Sequence, residues 1–231
     1  ATPTPQSTQS WTPIPHSTLI QLTAESLEAA GYTIVNDTHA LNRGNNHYFG
    51  TFELRNGVNY DDRALMVGLR NSHLKDWPAS LVCGSKVFVC DNLAFSGEVK
   101  IARRHTVHIL RDLPQLVASA MGQLGQARVA QDRRIETYKE RSLGNSEFND
   151  MLIAALDVNA LNPTTLPKVL NSWRNPEHPE FKDRNLWSGF NAFTEHYKGV
   201  AMNELSKRTL ALHALFDGWA GLHFQEAEIL S

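Results

Sequence analysis

The chain has 231 residues, 42% of them hydrophobic and 20% charged, with a net charge of −2 and two cysteines. That composition supports a sizeable core and excludes a polar disordered chain, a disulfide scaffold and a polyanion binder acting through bulk charge. No apolar run reaches the roughly 18 residues of a membrane span. Residues 1–10, A-T-P-T-P-Q-S-T-Q-S, lack the basic and apolar stretches of a secretory signal, so a cytoplasmic location without a membrane partner is expected.

Residues 1–13 are rich in Pro, Ser, Thr and Gln and predict a mobile arm or a strap lying on the domain. A helix is predicted over Leu19–Ala30, with Gly31 as its C-cap. Tyr32–Leu41 reads as a strand and residues 42–46 as a turn. His47–Arg55 alternates apolar and polar residues and stops at Asn56-Gly57, a strong hairpin signal. Strands follow at Ala64–Arg70, Leu81–Cys90, Leu93–Phe95 and Val99–Arg104, with a tight turn at Asp91-Asn92 and a loop through Ser96-Gly97. Hairpin-length connections make an antiparallel sheet the economical topology.

From Thr106 the period changes to that of a helix. Leu113, Leu116, Val117, Ala120, Leu124 and Ala127 share one face. Asp112 is the expected N-cap, Pro114 falls in the first turn, and the helix extends to about Tyr138. The remainder is helical: a stripe from Phe148 to Leu156 behind a Ser146 cap, a short helix over Leu166–Trp173, and a Pro-containing loop from Asn175 to Asp183. Two more helices carry the stripes Leu186–Tyr197 and Leu205–Trp219. The fold class is therefore α+β: an antiparallel twisted sheet of four to six strands crossed by one long helix, then a helical subdomain. The boundaries are 1–13 for the arm, 14–141 for sheet and long helix, and 142–231 for the helical part packed on the same core.

The chemistry-bearing residues form no catalytic signature. Cys83 and Cys90 are seven apart and His105 and His108 three apart, which does not fit structural zinc. Nucleophile elbow, phosphate loop and dinucleotide fingerprint are absent, and Asp61, Asp62 and Asp76 are metal-nuclease candidates by residue type only. Neither catalytic nor metal residues are assigned, and no cofactor is expected. Charge is uneven, however. Residues 98–141 hold nine Lys or Arg against five Asp or Glu, while the flanking segments are acidic. Arg70, Lys75, Lys86, Lys100, Arg103, Arg104, His105 and Arg111 gather around strand ends and the helix start, interleaved with Trp77, Phe88 and Phe95. Cations among stacking rings are what single-strand binders use; the bland alternative is a core of aromatics with a solvated basic edge. A second group, Trp187, Asn191 and Glu195 with Thr194, lies on adjacent faces of one helix. It is either ligand-facing or a set of buried polar contacts that fixes the fold.

Four blocks carry a resemblance: G-L-R-N-S-H at Gly68–His73, G-S-K-V-F-V-C-D-N-L-A-F-S-G at Gly84–Gly97, R-R-H-T at Arg103–Thr106, and L-W-S-G-F-N-A-F-T-E at Leu186–Glu195. Together they resemble the phage/plasmid-like protein family, a domain of unknown function found in phages, plasmids and bacteria. The resemblance spans about residue 11 to the C-terminus and implies a mobile-element origin but no activity. The strand-rich half followed by one crossing helix is also similar in outline to the core of single-strand annealing recombinases, which bind single strands and self-assemble; the extra N-terminal structure and the helical third depart from that pattern. The resulting expectation is a non-enzymatic protein that binds single-stranded DNA and forms a homo-oligomer. The alternative is an interaction module for a host or phage protein, with a metal-dependent enzyme behind both.

Overall fold

The computed structural model describes residues 2–55, 63–76, 78–87, 93–101 and 105–223, and for residues 93, 96–100 and 202–203 the backbone alone. Helix α1, His16–Ala29, precedes five strands: β1 Thr33–Leu41, β2 His47–Arg55, β3 Arg63–Ser72, β4 Ser80–Val87 and β5 Leu93–Lys100. They form one antiparallel sheet in the order β1-β2-β3-β4-β5. Helices α2 Ile109–Glu140, α3 Asn145–Asp157, α4 Leu166–Arg174, α5 Leu186–Thr194 and α6 Met202–Ala220 follow, with 3-10 turns at Pro179–Phe181 and Glu195–Tyr197. The fold is α+β, as the succession of period-2 and period-3.6 segments requires. No described helix is long and apolar enough to cross a membrane.

The chain divides into two compact units, Ala1–Gly84 with Gly97–Arg128, and Ser85–Ser96 with Val129–Gln225. In the first, Tyr48, Phe52 and Leu54 of β2 stand on one sheet face with Val67 and Leu69 of β3 and Leu81 and Cys83 of β4. Ile14, Leu19 and Leu27 pack there, as do Ile109, Leu113, Val117, Ala120 and Leu124 of α2 at helical spacing. The first half of α2 thus lies on the sheet face. In the second unit the core is aromatic. Phe148 stacks on Trp173 at 4.4 Å between centroids, and Phe190 and Phe193 meet Phe216 edge to face at 5.4 and 5.7 Å.

Three local expectations change. The two strands expected on either side of Ser96-Gly97 are one continuous strand, β5, up to Lys100. A Ser-Gly pair interrupts the sequence pattern, yet small residues adopt extended backbone freely, and pairing with β4 carries the strand through. Helix α2 starts at Ile109, three residues before Asp112. Its first turn is closed by Ile109 N–H on the Thr106 carbonyl (3.1 Å) and by Arg111 and Asp112 N–H on the His108 carbonyl (3.0 and 3.1 Å). Asp112 therefore lies within the first turn, where a carboxylate complements the helix dipole, and Pro114 has no N–H to give Leu110. Helix α3 starts at Asn145 rather than behind Ser146; the Glu147 carboxylate accepts the Gly144 N–H at 2.8 Å. The Asn56-Gly57 and Asp91-Asn92 turns fall outside the described residues.

Candidate nucleic-acid interface

The N-terminal segment is fastened to the first unit by side chains of the Gly68–His73 block. Asn71 Nδ2 donates to the Ile14 carbonyl at 2.8 Å and to His16 Nδ1 at 3.0 Å. His73 Nε2–H donates to the same Ile14 carbonyl at 3.1 Å, which fixes its tautomer. The His16 and His73 rings stack at 3.7 Å, 4° from parallel. Next to this clamp, Ser72 Oγ donates to Asp76 Oδ1 (2.5 Å), and His47 Nε2 donates to Asp76 Oδ2 (2.5 Å). Burial would raise the Asp76 pKa, but the Ser72 and His47 hydrogen bonds and the His47 charge outweigh it and hold the carboxyl below its ordinary value. Arg70 Nε donates to Ser80 Oγ on the next strand at 2.8 Å.

Farther out on the same segment, Thr12 N–H donates to the His105 carbonyl (3.2 Å), and Thr8 N–H to the Trp11 carbonyl (2.8 Å). Trp11 is half-buried, with the His105 ring 6.3 Å behind it and nearly parallel, at 10°. The ammonium of Lys75, an exposed residue, stands 5.6 Å from the Trp11 ring centroid. Ring and cation together form a partly open platform, close enough for a cation–π attraction.

Three histidines of the clamp and the platform, His16, His73 and His105, are buried. Burial, and then the neighbouring His73, push His16 down to about 4. Burial lowers His73 against the opposing pull of the Ile14 carbonyl, and burial with His73 nearby lowers His105. A neutral ring behind Trp11 supports stacking and adds no charge to the platform.

The eight basic-strip residues are distributed as follows. In the first unit, Lys75 stands beside Trp11, His105 is buried behind it, and Arg70 is half-buried against Ser80. Arg111 is exposed and bonded through Nε to Asp112 Oδ1 at 2.7 Å. Lys100 is described by its backbone only, and Arg103 and Arg104, with Trp77 and Phe88, lie outside the described residues. Lys86 is half-buried in the second unit.

Much of the positive excess of residues 98–141 is used internally. Arg134, with 3% of its side chain exposed, donates through Nε to Asp217 Oδ1 (2.8 Å), through Nη2 to Asp217 Oδ2 (2.9 Å) and through Nη1 to Gln131 (3.0 Å). The Tyr138 hydroxyl donates to the same carboxylate at 2.7 Å. Four donors on one buried ion pair are what a low-dielectric site requires. His213, fully buried beside it and facing the Arg134 charge, is held well below its usual pKa and stays neutral. Lys139 pairs with Glu136 and Arg141 with Glu147.

The residues Trp187, Asn191 and Glu195 belong to the second unit. Trp187 is buried and stacks on Phe190 (5.8 Å, 7°), Asn191 Nδ2 donates back to the Trp187 carbonyl at 2.9 Å, and Glu195 accepts from Lys198 at 2.5 Å. These contacts are made within the unit itself. Among the described residues no three His, Cys, Asp or Glu side chains converge as a metal site. Trp11 is the platform residue that composition hides, because it stands in a Pro- and Ser-rich stretch. The available signal is that Trp11 and Ile14 are the first large apolar residues of an otherwise polar segment. No known family model matches the chain, and neither does any curated protein or solved structure.

Proposed function

We propose that the protein binds single-stranded DNA, with Trp11 as a stacking surface and Lys75 as a phosphate contact. The observation that carries this reading is the half-buried indole with a parallel, neutral His105 behind it and the exposed Lys75 ammonium over its ring, which an incoming base would displace toward its phosphate. Single-strand binders combine a ring on which a base can stack with a cation that tracks the backbone, and they accept any sequence because every base has a π face. The platform is small, so few phosphates are neutralised and affinity should be modest.

The test is fluorescence anisotropy of a labelled oligonucleotide titrated with the full chain across a salt series. Binding should weaken as salt rises, with a shallow slope reflecting one or two released counterions. Trp11→Ala should lower affinity by about tenfold or more, since stacking contributes roughly 1–3 kcal/mol per base. Lys75→Glu should lower it too and flatten the salt dependence. Absence of binding at low salt, or parent-like binding by both variants, rules the reading out.

A further inference from the structure

Strand β1 ends the sheet, paired on one side with β2. Eight of its nine residues are exposed. Among the described residues no strand occupies its other edge. Its sequence, T-I-V-N-D-T-H-A-L, contains none of the Lys, Arg or Pro residues with which proteins commonly keep an edge from pairing. A bulge between Ile34 and Asn36 interrupts the register at one end only.

The backbone of this edge has a definite parity. Asn42 N–H donates to the His47 carbonyl at 3.0 Å, so Asn42 turns its N–H toward β2. Orientation alternates along an antiparallel ladder. Ala40 and Thr38, opposite Phe49 and Thr51, therefore also face β2, while Leu41, His39 and Asp37 present N–H and C=O outward.

We propose that β1 is the docking edge for a second copy of this chain, paired antiparallel about a two-fold axis through Thr38. With that axis Asp37 lies opposite His39 of the second copy. Both have outward backbone groups, so each pair exchanges two N–H···O=C bonds, and the side chains facing one another are a carboxylate and an imidazole. Val35 stands at the bulge and lies outside this register. The axis is selected by avoidance of like charge as well as by geometry. Centred on Asp37, the pairing would oppose two carboxylates; centred on His39, it would set Asp37 against Leu41. An axis between residues would match outward-facing groups with inward-facing ones. Thr38 is the centre at which polarity and charge agree. A nine-residue edge is smaller than a standard interface, so the dimer should be weak and concentration-dependent.

The experiment uses the full chain with single cysteines introduced at exposed positions of β1, compared with the parent chain under mild oxidation. At the two-fold centre the opposed Cα atoms of a non-hydrogen-bonded pair lie about 4.5 Å apart, within disulfide reach. Thr38→Cys should therefore cross-link to itself. Asn36→Cys and Ala40→Cys, each opposite the other, should cross-link far less alone and efficiently when mixed. Sedimentation equilibrium should show a concentration-dependent dimer, weakened at least tenfold by Thr38→Lys, which sets two ammonium groups against each other at the two-fold centre. A monomer at all concentrations, cross-linking equal at the three positions, or a dimer indifferent to Thr38→Lys would each overturn the proposal. Nucleic-acid binding is read separately at Trp11, so either result stands without the other.

Discussion

His16, His73 and His105 are buried on the side of the first unit where the N-terminal segment is held, and all three are displaced downward. In the unfolded chain they take up protons near their ordinary value of 6.5; in the folded chain they resist until lower pH, about 4 for His16. The unfolded state thus binds more protons across that window, and stability must rise with pH through it. Their contribution is complete above about 6.5 and is lost as pH falls toward 4. For His16 alone the loss is about 3 kcal/mol. Urea midpoints measured between pH 7.5 and 4 should be flat at the upper end and then fall, and His16→Phe should flatten the decline. Tyr48 belongs to the same neighbourhood. Its hydroxyl donates to His39 Nδ1 at 2.7 Å, and burial and then the nearby Asp37 charge raise its pKa. Gly50 lies beneath this bond: a Cβ there would stand 2.0 Å from the Tyr48 hydroxyl oxygen, so the position admits no side chain while the ring lies across the strand.

Helix α5 is fixed at its start by one side chain. Asn185 accepts the Ser188 N–H at 2.8 Å and the Ser188 hydroxyl at 2.9 Å through Oδ1, and donates from Nδ2 to the Lys139 carbonyl at 3.0 Å. Asn185→Ala leaves those partners unsatisfied in a buried place and should cost about 1–2 kcal/mol, measurable as a lowered midpoint in chemical denaturation. Asn185→Asp, which keeps the acceptor, should lose less. The strands β1 to β4 were legible because alternation and turn residues coincide, as at His47–Arg55. β5 was read as two pieces because pairing with a neighbour, which sequence does not display, decides whether a Ser-Gly pair bends. The start of α2 was misplaced because Asp112 has a capping side chain, while the backbone of Thr106 and His108 closes the first turn. At the candidate site Lys75 could be picked out by charge. Arg134 looked identical in sequence and is spent on Asp217, 83 residues away. Trp11 was lost in the polar arm, because the Asn71 and His73 donors that hold its segment lie some 57–59 residues from their acceptor.

The two compact units are interleaved along the chain, which passes from one to the other at residues 84–85, 96–97 and 128–129, inside β4, β5 and α2. Among the described residues these crossings occur within hydrogen-bonded elements rather than in loops. The segment before α1 differs: it is attached by the shared Ile14 carbonyl and the Thr12–His105 bond, with Ile14 itself wholly buried. It also has an unusual chemical silence, because no Lys or Arg precedes Arg43. Trypsin therefore cannot register whether this stretch is docked or free, whereas chymotrypsin has the Trp11–Thr12 bond available. Since the donor and the stacked ring that hold Ile14 belong to histidines that take up protons more readily once undocked, cleavage at Trp11 should quicken as pH falls below 6.5 while the tryptic pattern from Arg43 onward stays constant, an opening visible to one enzyme and invisible to the other.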